Sequence, residues 1–457
     1  MATTTIDPAR IATLNDAEPR EARYVLYWMQ ASVRTRENHA LEHAVRTANS
    51  CGLPLLVGFG LDPNYPEAEP RAMRFLVDGL VDVANHLAQR NIGFTVRAGS
   101  PIDVALDLAS DAAAVVVDRN YLRKPRAWRQ ELASAADVRV EEVESNVVVP
   151  VEVASDKREW AARTIRPRIH EHLDRFVEEL RTTAVEVGET GLVSSLAATN
   201  RQGLLEAIGL EEEADKRRFV GGELAAQRTM RQFVDERLPD YGDAGTEVTG
   251  AASSHLSMYL HYGHLSPAAV VRAVRQSGAP AEAIDDFVEE LVVRRELAHN
   301  FVWYEPDYDE FRALPEWARQ TLADHREDER DTVYTKGELE AAETDDPYWN
   351  AAMTELRLTG YMHNRMRMYW GKRILGWTNT PQYGYQVALE LNNRYFLDGR
   401  DPNSYANVGW IFGLHDQAFE ERDVIGKVRP MTKSGLERKI DTEEYVAYVN
   451  ELAGSAE

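Results

Sequence analysis

The chain has 457 residues, 44% hydrophobic and 28% charged, the composition of a globular protein long enough for two domains. Its 52 Lys and Arg against 75 Asp and Glu give a net charge of −23, a field that repels nucleic acid and anionic membranes at long range. The single cysteine, Cys51, excludes an intramolecular disulfide and any Cys-based zinc or iron–sulfur cluster, and it reads as a small buried hydrophobe.

Residues 1–22 are polar, lack the apolar core of a signal peptide and read as an N-terminal extension. No later segment nears the roughly 18 apolar residues of a membrane span, so the chain is expected to be soluble and cytoplasmic, with no membrane partner. From 23 to 150, short β-like runs alternate with helical ones: RYVLYWM, LPLLVGFGL, IGFTVRAGS, AAAVVVD and VRVEEVESNVVVP are separated by stretches of helical spacing. This rhythm predicts a doubly wound parallel sheet. No G-x-G-x-x-G follows the first strand, so the rhythm alone assigns no ligand.

Residues 151–205 form a charged connector, EVASDKREWAARTIRPRIHEHLDRFVEEL followed by TTAVEVGETGLVSS. Strand signals then cease. From 206 to 457 helical patterns are punctuated by Gly, Pro and Asn, which predicts an all-helical second domain.

One stretch of that domain, MHNRMRMYWGKRILGW at 362–377, is unusual in an acidic chain. Helical steps of three and four place His363, Arg367, Trp370, Ile374 and Trp377 on one stripe, with Asn364, Arg365 and Met368 on a neighbouring side. Core packing alone also explains Trp and Met at such spacing. Three other segments add candidates. ASSHLSMYLHYGHLSP joins Ser253, Ser254 and Ser257 to a helix start, a seat for phosphate or simply a cap. NNRYFLDGRDPNSYANVGW sets Asn392, Asp398, Arg400 and Asp401 around a Gly turn, which an exposed loop also explains. DDFVEELVVRRELAHNF spaces Glu290 and Arg294 four apart, as in a surface ion pair.

Together, EELVVRRELAHNF, EWARQTLADHR, DPYWNA, GYMHNRMRMYWGKRILGWT, LNNRYFLDGRDPNSYANVGW and HDQAFEERDVIGKVRPM resemble the class II cyclobutane pyrimidine dimer photolyases of the photolyase/cryptochrome family. YVLYWMQASVRTRENHAL and VASDKREWAARTIRPRI extend the resemblance over nearly the entire chain. It implies an α/β amino-terminal domain followed by an all-α domain that binds FAD and splits dimers in UV-damaged DNA by light-driven electron transfer, here by a monomer. It further implies that Tyr241, Ser253, Ser254, Leu256 and Ser257 hold the FAD phosphates and ribityl chain. Arg367 and Asp398 are the paired ions beside the flavin ring, and Asn392 with Arg400 is the group near its N5. Trp370, Trp349 and Trp377 form a relay that re-reduces the flavin, with Trp349 supplied by the helix before Gly360. Glu290, Trp410 and Met368 are expected in the lesion pocket, with Arg365 and Arg429 contacting the opened duplex.

Two departures accompany this pattern. Arg294 stands where some class II enzymes carry a second pocket Trp, and Asn364-Arg365 is a pairing associated more with class I enzymes and adds an amide toward the lesion. A second chromophore of deazaflavin type is expected on the α/β domain, with no residues assigned to it, and an enzyme without an antenna is the fallback. No metal is expected. The alternatives are a cryptochrome-like photoreceptor without repair, a photolyase for the (6-4) lesion, and an NAD(P)H-linked flavoenzyme. His255, His261 and His264 read as structural or solvent-facing. The acidic surface suits a halophile, in which stability or DNA binding persists at molar salt.

Overall fold

A computed structural model describes residues 6–188, 196–211, 217–242, 247–249 and 253–456. Its first part is built on six strands: β1 (Ile11–Thr13), β2 (Tyr24–Trp28), β3 (Leu55–Leu61), β4 (Gly93–Ala98), β5 (Ala112–Asp118) and β6 (Val140–Val143). Their order is β1-β6-β5-β2-β3-β4, parallel except for the antiparallel pairing of β1 with β6. β2, β3 and β5 are buried along their whole length, which explains runs such as AAAVVVD: a parallel sheet covered on both faces has no wet side to alternate with.

The pleat sorts alternate residues between the covering layers. Val25, Tyr27, Val57 and Val116 meet α1 (His39–Cys51) and α2 (Pro70–Gln89), while Leu26, Trp28, Val115 and Val117 meet α3 (Pro101–Ala109). α4 (Arg123–Ala135) packs beside α3 and contributes Leu132 and Ala133 to the same layer. Cys51 ends α1 half-buried against the first layer, more open than expected.

The sheet reaches back into residues expected as an extension. Three residues, Ile11↔Val143 to Thr13↔Glu141, add an edge strand too short to announce itself. Arg10 locks it: the buried guanidinium donates to the carbonyls of Glu144 (3.0 Å), Val147 (3.3 Å) and Val148 (2.6 Å). In the connector, Ala162–Phe176 is helical, and residues 189–195 of TTAVEVGETGLVSS lie outside the described residues.

The described residues of 206–457 are helical and turn, with one isolated two-residue bridge between Arg422 and Gly426. Two wide turns interrupt the α-geometry, Phe233–Arg237 before Tyr241 and Glu289–Arg294. Such π-type turns re-aim side chains and recur at functional sites. No helix among the described residues is long and apolar enough to cross a membrane.

Candidate functional site

Helix Asn364–Trp377 is the spine of the site. His363 is its cap rather than its first turn, with Nδ1 accepting from the Arg365 N–H at 3.2 Å. The expected stripe is present, and it faces inward: Trp370 is fully buried and Trp377 is 7% exposed. Helix Pro347–Thr359, started by Asp346 and ended by Gly360 at φ 74°, brings Trp349 alongside. The Trp349 and Trp370 rings are stacked at 8° with centroids 6.4 Å apart, and Trp349 Nε1 donates to the Trp370 carbonyl at 2.9 Å. Trp349 meets Trp377 edge-on at 5.6 Å.

The chain of rings has an outer member that sequence reasoning missed. Tyr334 meets Trp377 edge-on at 5.1 Å, and its hydroxyl donates to Asp345 Oδ2 at 3.1 Å. Its loop carries no periodic signal; only packing reveals it. At the inner end Trp370 meets Phe396 edge-on at 6.3 Å, and the Arg367 guanidinium lies 3.6 Å from the Phe396 centroid. Arg367 Nη2 donates to Asp398 Oδ1 at 2.8 Å, joining two residues 31 apart as a mostly buried ion pair.

Asn392 is buried nearby and donates to Asn393 Oδ1 at 3.5 Å. The Arg400 backbone N–H shares that acceptor at 3.0 Å, but its guanidinium points elsewhere, toward the Asn393 carbonyl and the Tyr262 hydroxyl at 3.4 Å. Arg400 has φ +59°, and this left-handed turn swings its side chain into a crevice between the two halves of the chain. Asn392 and Arg400 are therefore linked only through Asn393, whose side-chain oxygen accepts from both, while the Arg400 guanidinium is committed to the crevice.

Around the predicted phosphate segment, Leu256 is buried, Ser254 Oγ accepts from the Leu256 N–H at 3.4 Å and the helix Ser257–His261 is only five residues long. Ala252, which precedes it, lies outside the described residues. Arg237 Nη1 donates to the Ser253 carbonyl at 2.8 Å and meets His255 Nδ1 at 3.2 Å. None of the three histidines is simply solvent-facing. His255 lies between Phe219 and Tyr361, His261 pairs with Asp401, and buried His264 accepts from Gly222. Burial, with Arg218 and Arg237 adding, pushes His255 down to about 3, so its ring is neutral. Tyr241 packs edge-on against Phe233 and Phe287 and is pushed up to about 12 by burial, then by Glu290.

Glu290 stands in the Glu289–Arg294 turn with 54% of its side chain exposed, and the predicted ion pair with Arg294 is present at 3.5 Å. Its carboxyl is nonetheless held above the usual range, first by crowding of surrounding chain and then by Glu289 and Asp286 against the pull of Arg294. Trp410, on helix Pro402–Ile411, has two cations at its ring: Lys372 Nζ at 4.9 Å and Arg429 at 5.6 Å. Arg429 is a braced wall rather than a free cation, since Asp416 accepts from it twice, at 2.7 and 2.8 Å. Lys372, buried and bonded to the Ile411 carbonyl, is pushed down to about 7 by burial. Met368 and Arg365 are half-buried and Asn364 is exposed at the helix start.

Several buried donors and acceptors here have no hydrogen-bond partner among the described residues: Arg365 Nε, Arg367 Nε, Trp370 Nε1 and His255 Nε2. A buried polar atom is ordinarily hydrogen-bonded, so their concentration on one helix and one adjoining segment marks where a polar molecule fits. A second such place is the crevice beyond the carboxyl ends of β2 and β5, where the strand order reverses. Asp118 at the end of β5 accepts from the N–H groups of Gln30, Ala31 and Ser32, shaping the loop that leaves β2. That loop presents the Gln30 amide, both ends without a partner among the described residues, beside the Trp28 Nε1, with Tyr65, Asn120 and Trp128 completing the walls. The switch-point rule locates this crevice only once the strand order is known, and composition carries no signal for it.

The sequence profile of the DNA photolyase family matches residues 25–186. A deoxyribodipyrimidine photo-lyase of Methanothermobacter thermautotrophicus is 44% identical over 98% of this chain and 99% of its own length. One from Oryza sativa subsp. japonica is 36% identical over 98% and 92%. A Synechocystis cryptochrome superposes with a TM-score of 0.71 at 17% identity, covering 93% of this chain and 88% of its own, which shows a shared fold. With relatives aligned from end to end at this identity, the chain belongs to the DNA photolyase family.

Proposed function

We propose that this protein is a light-driven repair enzyme of the class II type, acting on cyclobutane pyrimidine dimers in DNA with FAD as cofactor. The observation that carries the reading is the juxtaposition of an unbroken aromatic chain, Phe396 to Tyr334, with a buried Arg367–Asp398 pair and unpartnered donors at its inner end. FAD held there would supply light-driven one-electron chemistry for opening the cyclobutane ring, with the electron returned once the ring has split.

The residues divide the remaining work. Arg367 supplies a guanidinium cation and Asp398 fixes its orientation, which suits an anionic ring in a low-dielectric place. Asn392 keeps an amide near that ring. Trp370, Trp349 and Trp377 carry oxidising equivalents outward, and Tyr334 can release its hydroxyl proton toward Asp345 at the end of the chain. Tyr241 and residues 253–257 hold the dinucleotide tail, with neutral His255 and Arg237 offering hydrogen bonds.

Photolyases are among the enzymes that extrude their target from the duplex. Glu290, protonated more readily than an ordinary Glu, donates to a flipped dimer, while Trp410 and Met368 wall it in. The crevice with the Gln30 amide and Trp28 indole would hold a second, flat chromophore of deazaflavin type; release of such a pigment alongside FAD on denaturation checks this assignment.

The deciding experiment mixes anaerobic, chemically reduced protein with a thymine-dimer oligonucleotide, with dark and (6-4)-lesion controls, and follows thymine absorbance. Recovery in light with the dimer alone is expected. Absence of recovery with reduced FAD bound moves the function to light sensing.

A further inference from the structure

The connector carries a feature that no role above uses. Trp160 is 59% exposed, the most open of the large hydrophobic side chains among the described residues. An indole in water is out of place on a monomer unless something covers it. Its position is firmly set. The Arg158 guanidinium lies 4.5 Å from the ring centroid and is itself anchored by Glu305 and by the Ala313 carbonyl at 2.9 Å. The Trp160 carbonyl accepts from His415 Nδ1 at 2.9 Å.

These contacts locate the indole relative to the candidate lesion pocket. His415 adjoins Asp416, which braces Arg429 against Trp410, one wall of that pocket. A few residues on, Arg166 grips Glu289 through two bonds of 2.9 and 2.7 Å, next to Glu290 in the other wall. Residues 157–166 therefore border both walls. Within the same strip Lys157 and Arg163 are exposed and have no ion pair within 4.0 Å among the described residues, in a chain of net charge −23.

We propose that Trp160, with Lys157 and Arg163, is a docking platform for the DNA flanking the lesion. The indole stacks on a base or sugar laid open when the dimer leaves the duplex, and the two cations meet phosphates on either side. This rests on the repair reading of the pocket. Extruding two bases leaves neighbours with one bare face, and an exposed aromatic beside cations is what single-strand platforms use for such faces. Because the platform takes any π-face, it adds affinity without sequence preference.

The test is equilibrium binding of FAD-loaded protein to a labelled duplex with one thymine dimer, and to the same duplex undamaged, across a salt series. Trp160→Ala is expected to weaken dimer-duplex binding about tenfold, with Trp160→Phe in between and flavin content unchanged in both. The double variant Lys157→Ser/Arg163→Ser, which leaves the indole in place, is expected to lower the slope of log K against log salt by about 1 to 2. If unsubstituted protein does not distinguish damaged from undamaged duplex, the repair reading falls and takes this inference with it. If it does distinguish them while Trp160→Ala binds as tightly as the parent and the double variant keeps its salt slope, the docking inference alone falls.

Discussion

The Trp349–Trp370 stack and the lone Trp410, both in the helical region, are built to opposite specifications. Trp349 and Trp370 have no exposed surface and are held by packing and one indole hydrogen bond, while Arg367 lies against Phe396 at one end of the stack and Arg373 against Trp377 at the other. Trp410 is only half-buried, sits between Lys372 and Arg429, and belongs to a mouth whose carboxylate and guanidinium groups are about half exposed. A dry, rigid stack suits charge passing from ring to ring, since little has to rearrange when a ring loses an electron. A wet, charged rim suits a ligand that comes and goes, since its ions can exchange water for the ligand.

The dry stack is tested most directly at Trp349. Trp349→Phe keeps an aromatic ring but removes the oxidisable indole, and light-driven reduction of the flavin is expected to slow roughly a hundredfold, about 3 kcal/mol in barrier. Repair by chemically pre-reduced protein should be retained. Loss of both activities, with flavin still bound, would show that the stack is structural rather than a relay.

At the rim the expected effect is smaller. Removing a preorganised donor from a closed site costs about 10²–10³ in rate, and a half-exposed one less, so Glu290→Ala is expected to lower repair per absorbed photon about tenfold. The sign of the pH effect follows from the raised carboxyl: the proton-bearing form persists to higher pH than in an ordinary Glu, then disappears, so repair falls as pH rises through its pKa. Glu290→Gln keeps a donor that does not titrate and should flatten the profile. A parent profile already flat, or a Gln variant as poor as Ala, would remove the donor role.

What the sequence made legible follows the range of its signals. Spacing of three and four residues placed Arg367, Trp370 and Trp377 on one stripe and paired Glu290 with Arg294, because both relations lie within one helix. The strands were legible because their burial on both faces forces long apolar runs. Relations between elements were not. The stacking of Trp349 on Trp370, the addition of Tyr334 and the turning of Arg400 into the crevice depend on helix packing or on a positive φ at a non-glycine residue, and no periodicity encodes either. β1 escaped because three residues carry no alternation to count. The Gln30 crevice had only a topological rule, which needs the strand order before it can be applied.

The smallest expected effect concerns how each region keeps a carboxylate. Glu290 stands half-exposed at the rim, whereas Glu355, on the helix that carries Trp349, is fully buried, accepting from Tyr445 at 2.7 Å and from Arg218 at 3.1 Å. Burial outweighs both partners and raises its carboxyl from 4.5 to about 7. Between those two values the folded chain holds a proton that the unfolded chain has released, so this residue makes stability fall as pH rises from about 4.5 to about 7, with no further loss above. Glu355→Gln removes the titration while keeping the shape and an oxygen for Arg218. Thermal melts from pH 5 to pH 8 should therefore slope downward in the parent and less so in the variant, which should be the more stable of the two at pH 8. Should the two slopes coincide, the buried side of the molecule tolerates charge as well as the rim does, and the distinction between a dry relay and a wet mouth loses its electrostatic basis.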